Sequence, residues 1–179
     1  MITAAQLIQI MPYARKRAGV FIDPLNATLT EFEINTPLRQ AAFVAQIGHE
    51  SGQLLYVREI ASGSAYEGRK DLGNTLPGDG VRYKGRGLIQ ITGKANYTAC
   101  MLALDLDLLD RPEQLEEPVN ACRSAGWFWK THGLNELADA QDFETITRRI
   151  NGGANGLVDR LELYGRAKRI LGGGHGTNI

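Results

Sequence analysis

The chain has no apolar run near the ~20 residues that a helix needs to cross a bilayer. It also has no surplus of charge. Twenty lysines and arginines balance twenty aspartates and glutamates, so the bulk charge does not call for a nucleic-acid partner. Two cysteines, Cys100 and Cys122, are too few for a disulfide-built scaffold. Each sits in an apolar, helix-like stretch and reads as a buried thiol in a protein made under reducing conditions. The three histidines are His49, His132 and His175, and His49-Glu50 lacks the second histidine four residues on that a zinc helix requires. Gly-x-Ser-x-Gly is absent as well. Neither zinc chemistry nor a serine triad is therefore expected, nor is a cofactor. Residues Met1 to Arg15 show no charged-then-apolar leader, so export is expected to depend on another component.

What is present is ordinary globular composition, 43% hydrophobic and 22% charged in 179 residues, enough for one sizeable core. Without repeats or low-complexity linkers the chain reads as one catalytic domain, 1–171, followed by a flexible tail, 172–179. Helix signals dominate. Thr3 caps a first helix to Ile10, Asp23-Pro24 and Thr36-Pro37 read as helix starts, and an apolar run from Ala41 carries a helix to Glu50, with Gly52 as its stop. Further helices are expected over 95–104, 118–130, 143–150 and 157–171. Between 51 and 93 glycine recurs among polar and aromatic residues, an irregular stretch of a length that points to function. A small hairpin is expected there, with Asp79-Gly80 as turn and Leu88 to Ile91 as a strand.

Glu50 ends a helix whose preceding turns are apolar. Desolvation disfavours the charged form of such a carboxyl, which suits a general acid. Glu59 follows nine residues later. On one continuous helix the two would lie about 13 Å apart on different faces, but a break near Gly52 lets the chain double back and set two carboxylates across a cleft. Glu67 is a rival for the second role. In Tyr83 to Tyr97, YKGRGLIQITGKANY, the glycines allow close backbone approach and Tyr83 offers a sugar-stacking face. Gln90 and Thr92 alternate with Ile89 and Ile91, so the polar pair can line a cleft that the isoleucines anchor. Asn151 and Asn155 frame a glycine-rich turn whose amides can bind sugar hydroxyls or acetamido groups, although a plain helix stop explains the same residues. A phosphate-loop reading of GRGLIQITG fails, because no Gly-Lys-Ser/Thr follows.

Together, His49-Glu50-Ser51-Gly52, Tyr83 to Tyr97 and Ile150 to Gly156 resemble glycoside hydrolase family 19, the chitinase-like fold. Tyr66-Glu67-Gly68-Arg69 and Pro77-Gly78-Asp79-Gly80 bring the chain nearest to its phage and prophage endolysins. The resemblance spans about 43–171. It implies a mainly α, lysozyme-like, two-lobed domain with a central cleft and a small β-hairpin region. It also implies single-displacement hydrolysis of the β-1,4 bond between N-acetylmuramic acid and N-acetylglucosamine of peptidoglycan. By position, Glu50 matches the acid, Glu59 the base and Thr92 the water-holding hydroxyl. His49, Gln90, Asn96, Asn151, Arg160 and the aromatic Tyr83 count as substrate contacts. Gln53 departs from the second glycine of many relatives. The implied setting is a monomeric endolysin in the host bacterial cytoplasm, reaching periplasmic glycan strands once a holin permeabilises the membrane. Chitin hydrolysis and lytic transglycosylation are the rival activities. The basic end, with Arg148, Arg149, Arg160, Arg166, Lys168 and Arg169, reads as solvated helix faces, with weak contact of the C-terminal helix to an anionic membrane as the lesser reading.

Overall fold

The computed structural model describes residues 1–172. Helix α1 (Ala4–Ile10) opens on a capping box, Thr3 accepting from the Gln6 N–H while the Gln6 side chain reaches back to the Thr3 N–H. A 3-10 turn, Pro12–Lys16, leads into α2 (Ala18–Glu31). The expected start at Asp23-Pro24 is wrong: Pro24 lies inside α2. An interior proline costs about 3 kcal/mol in an isolated helix. Here burial of Phe21, Leu25, Thr28 and Leu29 along one face offsets it. The carbonyl left without a donor, that of Val20, lies in an exposed part of the helix.

Helix α3 (Pro37–Glu50) starts where expected, with Thr36 accepting from the Arg39 N–H and Pro37 in the first turn. Every residue from Ala41 to Gly48 is buried, so α3 is the central helix. After α4 (Asp79–Arg82) and α5 (Lys94–Leu104) come α6 (Pro118–Thr131), α7 (Leu134–Asp139), α8 (Phe143–Asn151) and α9 (Leu157–Gly172). Helix α9 packs along α3, and Gly48 lets Leu163 and Met11 close on the α3 backbone. Gly126 does the same for α6 against Phe32 of the α2 end. The Trp129 ring meets Phe43 edge-on at 5.2 Å, and its Nε1 donates to Asn135 at 3.0 Å.

This main core is joined by a smaller one made of Tyr83, Ile91, Tyr97, Cys100, Leu104, Leu108 and Leu115. Phe32 and Phe128 pack against both. Two cores bridged by two phenylalanines make the two lobes of a mainly helical domain. Cys100 and Cys122 are both free and buried, and burial pushes each thiol up to about 12.

The expected hairpin is corrected. Asp79 and Gly80 are in the helical turn α4, because Asp79 Oδ2 accepts from the Thr75 and Leu76 N–H groups and winds the chain there. Leu88 to Ile91 is no strand either. Gly87 to Gln90 form a tight loop closed by the Arg86–Ile91 pair, with Gly87 at φ 86° and Gln90 at φ 53°. The paired residues among those described are limited to Arg58 with Arg86 and Arg86 with Ile91. Gly172 ends α9, and the rest of the expected tail, 173–179, lies outside the described residues.

Candidate active site

Glu50 is the last residue of α3, its side chain 18% exposed. Arg160 of α9, 1% exposed, donates to Glu50 Oε1, to Gln46 Oε1 one turn earlier on α3, and through Nε to the Asn155 carbonyl at 3.2 Å. Gln46 in turn donates to Thr147 at 2.8 Å, and Thr147 to the Phe143 carbonyl at 3.0 Å. A buried charge is tolerated only when paired and fully hydrogen-bonded, and this chain of contacts meets that condition. Arg160 is too deeply buried to touch a glycan, so the expectation of a substrate contact is corrected: it positions Glu50. Gln46 was missed, although a polar residue four before Glu50 in an otherwise apolar run signals a buried partner.

After Glu50 the helix ends in three successive left-handed residues, Gly52, Gln53 and Leu54, at φ 57°, 60° and 68°. For glutamine and leucine this is strained backbone. It explains why a second glycine suits position 53. Hydrogen bonds hold the turn: Ser51 Oγ accepts from the Leu54 N–H at 2.8 Å and donates to the Ile47 carbonyl at 2.6 Å, and Gln53 Oε1 accepts from the Tyr13 N–H at 3.0 Å. The chain beyond this turn brings Glu59 to Gly85.

There the contacts are reciprocal. The Glu59 N–H donates to the Gly85 carbonyl at 2.9 Å, and the Gly85 N–H donates to Glu59 Oε2 at 2.7 Å. The Tyr66 hydroxyl approaches Oε1 at 3.4 Å. Burial first, then the Glu59 charge, raises the Tyr66 phenol above its ordinary range, so it stays a donor to the carboxylate. A β-carbon placed on Gly85 would lie 2.6 Å from Gln90 Oε1, 2.9 Å from Glu59 Oε2 and 3.2 Å from Thr92 Oγ1. These three polar groups thus converge on one point that only glycine leaves open. Gln90 Oε1 is buried and accepts no hydrogen bond among the described residues, so an acceptor is left unsatisfied at this point.

Two depressions contain these groups between them. One, about 340 Å³, is lined by Tyr56, Arg58, Glu59, Ile60, Lys84 and Glu116 among others. The second, about 280 Å³, holds Gln90, Thr92 and Asn96 with Trp127, Phe128 and Ile150. Asn96 donates to the Thr92 carbonyl at 2.7 Å. Trp127 escaped sequence reasoning, because a half-buried aromatic on α6 looks like core until its neighbours are known. The alternation expected for 89–92 survives as burial: Ile89 and Ile91 are buried, Gln90 and Thr92 are not.

The end of α8 and the loop after it touch both clusters. Ile150 lines the Thr92 depression, the Asn155 carbonyl binds Arg160, and Asn151 closes the loop on that carbonyl at 3.4 Å. His49 Nδ1 lies 2.6 Å from Asp159 Oδ2, and Gly156 packs directly on the His49 ring. His49 therefore anchors this loop and has no sugar contact to spare on that nitrogen. Tyr83 is also corrected. It is 4% exposed, packs on Tyr97 at 5.3 Å and donates to the Leu109 carbonyl at 3.2 Å, so its ring serves the smaller core. The Glu67 carboxylate accepts from the Gly78 and Val81 N–H groups at 3.1 and 3.2 Å, which occupies it in holding α4. No cluster of three or more metal-ligating side chains occurs among the described residues.

Residues 33–179 match the family model described as chitinase class I, glycoside hydrolase family 19. The chain belongs to glycoside hydrolase family 19. It is 33% identical over 196 residues to a Haemophilus influenzae protein described as glycosyl hydrolase family 19 domain-containing, covering 92% of this chain and 94% of that one. Endochitinase At2g43610 of Arabidopsis thaliana is 39% identical over 147 residues, 78% of this chain but 50% of the plant protein. The chain thus spans about half the length of that family 19 relative. A solved bacterial family 19 chitinase superposes with a TM-score of 0.78 at 27% identity, covering 96% and 95% of the two chains. Chitinase C of Streptomyces griseus HUT6037 gives 0.74 at 26% identity, over 96% and 76%. The protein is a chitinase-like glycoside hydrolase.

Proposed function

We propose that this family 19 hydrolase cleaves the β-1,4 bond between N-acetylmuramic acid and N-acetylglucosamine in peptidoglycan, with inversion at the anomeric carbon. The observation that carries the mechanism is the convergence of Glu59, Thr92 and Gln90 over Gly85. Glu59, held by the Gly85 N–H, takes a proton from a water that the Thr92 hydroxyl orients. That water attacks the anomeric carbon while Glu50, whose Oε1 is held by Arg160, gives a proton carried on its other oxygen, Oε2, to the leaving oxygen. Gln90, Asn96 and Asn151 bind the sugar's hydroxyl and acetamido groups. A single displacement of this kind inverts the anomeric centre.

The peptidoglycan reading is supported by the likeness of Tyr66 to Arg69 and Pro77 to Gly80 to the endolysin branch. In this reading the protein is a monomer released from a bacterial cytoplasm through a holin-permeabilised membrane, and it lyses its host. The basic face of α9, with Arg166, Lys168 and Arg169, adds at most a weak contact to an anionic membrane. The second reading is a chitinase, favoured by the names of the plant and bacterial relatives. Digestion of purified peptidoglycan, followed by borohydride reduction and mass spectrometry, tests the proposal. Reduced N-acetylmuramic acid ends are expected, with the α-anomer formed first by NMR. Anhydro ends would make the enzyme a transglycosylase, and reduced N-acetylglucosamine ends a glucosaminidase. Cleavage of chitin oligomers alone would establish the second reading.

A further inference from the structure

The depression beside Glu59 carries more positive charge than the reaction asks for. Lys84 and Arg58 line it with Glu59 and Glu116. Glu116 is already matched from below, where buried Arg86 donates to its Oε1 at 2.8 Å, and Arg58 stands 3.6 Å from its other oxygen. Three cations, Arg58, Lys84 and Arg86, therefore face two carboxylates, and one of those two is the base. Lys84 adds the surplus. Among the described residues its ammonium contacts only the Ala61 carbonyl, at 3.0 Å. Its backbone is fixed: the Tyr97 hydroxyl donates to its carbonyl at 2.6 Å, and the next residue, Gly85, is clamped to Glu59. The ammonium is thus held at the rim of the cleft, next to the catalytic base, without an anionic partner of its own.

A neutral polymer of N-acetylglucosamine offers such a group only neutral oxygens and no counter-charge. Peptidoglycan offers one, because each N-acetylmuramic acid carries a lactyl ether that ends in a carboxylate or in a stem peptide bearing carboxylates. We propose that Lys84, flanked by Arg58, is an anion-reading subsite that binds a carboxylate borne on the muramyl residue next to the scissile bond. It would set the enzyme's preference for peptidoglycan over chitin. This rests on the substrate reading above and adds the residue that enforces it. A charge-assisted hydrogen bond at a half-exposed site is worth a modest factor, about three- to tenfold in kcat/KM.

The test uses soluble glycan strands stripped of peptide, with the lactyl carboxylate either free or converted to its amide, and a third set that retains the stem peptides. Wild-type enzyme should cleave carboxylate-bearing strands about three- to tenfold better than amidated ones, and salt should shrink the ratio. Lys84→Met should bring the ratio close to one, and Lys84→Arg should keep it. A higher rate on the peptide-bearing set than on the free lactyl set would assign the bound carboxylate to the stem, and the reverse to the lactyl group. A wild-type ratio near one, or an unchanged ratio in Lys84→Met, overturns the subsite while leaving peptidoglycan as substrate. Failure of the wild type on every muramyl strand, with cleavage of N-acetylglucosamine oligomers, overturns the substrate reading and this subsite with it.

Discussion

Arg160 is the residue whose loss should separate positioning from packing. Its guanidinium serves three acceptors on two segments: Glu50 and Gln46 on α3, and Asn155 in the loop before α9. Arg160→Met keeps much of the volume and removes every donor. Breaking one side of a buried ion pair costs about 3–5 kcal/mol, because the remaining charge is left uncompensated. Glu50 retains some contact with water, which favours the lower end, and the stranded Gln46 oxygen adds about 1 kcal/mol. In a domain of this size each kcal/mol lowers the melting temperature by about 2–4 °C, so the fall should be on the order of 10 °C. The second readout is kinetic. With Glu50 free to rotate, kcat should drop at least about tenfold while KM changes by less than about twofold, since the acid acts in the transition state and not in ground-state binding. Arg160→Lys keeps the charge but not the planar fork, so it should recover part of the stability and little of kcat. Differential scanning calorimetry and initial rates at a temperature well below both melting points measure the two effects. An Arg160→Met enzyme that melts early yet turns over at the wild-type rate would refute the positioning role, and one that melts normally would refute the buried pair.

Glu50→Gln and Glu59→Gln should each lower kcat by about 10²–10⁴-fold; Glu59→Gln should leave the melting temperature nearly unchanged, while Glu50→Gln should also lower it, because Arg160 then stays buried without its counter-charge. Glu67→Gln should cost about 1 kcal/mol through the weakened α4 cap and spare most activity. The reverse pattern between Glu59 and Glu67 would show that the base has been misassigned. Gly85→Ala places a methyl group against Gln90, Glu59 and Thr92 and should cost at least about tenfold in kcat/KM; a near-normal rate would mean that these three groups need not converge. Acid should destabilise the fold in a defined window. Arg123 hydrogen-bonded to Glu31, and Arg39 hydrogen-bonded to Asp139, hold those carboxyls below their usual range. At Asp79 burial works in the opposite direction but is outweighed by the Leu76 and Thr75 N–H groups and by Lys94. A folded value below the unfolded one means that the stabilisation is complete above about pH 4, near the unfolded values, and is lost as pH falls through the folded values. The melting temperature should therefore be level from about pH 7 to 5 and decline below about 4; a flat profile down to pH 3 would contradict it.

How much of this was legible in the residues depended on the range of the contact. The start of α3 was readable because its causes are local: a capping threonine, a proline in the first turn and an apolar run after it. Pro24 misled because the same local rule holds only when the preceding residues lack their own reason to be helical, and Phe21 is pulled into the core from the turn before. In YKGRGLIQITG the alternation of burial was correct while the strand was not, since four residues of alternating polarity fit a closed loop as well as a strand. Roles set by distant partners were not legible. Arg160 meets Glu50 across 110 positions, and Tyr83 meets Leu109 across 26. No local pattern announces that a tyrosine in a glycine-rich motif will point inward or that an arginine on an ordinary amphipathic helix will be buried.

The two carboxylates are held by different physics, and this bears on how the cleft works. Glu50 stands on a wall made by α3 and α9, buried helices of the main core, and its partner Arg160 belongs to that core. Glu59 lies on an arm, residues 55–82, in which no hydrophobic residue is fully buried and Ile60 is 82% exposed. What orders the arm is polar. Asn74 donates to the Tyr66 carbonyl and accepts from the Lys94 N–H, each at 2.9 Å. Glu67 and Asp79 bind backbone N–H groups, and Gly85 clamps Glu59 itself. Segments held by hydrogen bonds at the surface open at lower free energy than segments held by buried apolar contacts. The wall that carries Glu50 is therefore the more stable of the two elements, and the arm that carries Glu59 depends on its polar contacts, the Gly85 clamp above all. The left-handed residues Gln53 and Leu54 lie between the wall and the arm, and hydrogen bonds to the Ser51 and Gln53 side chains hold them in place.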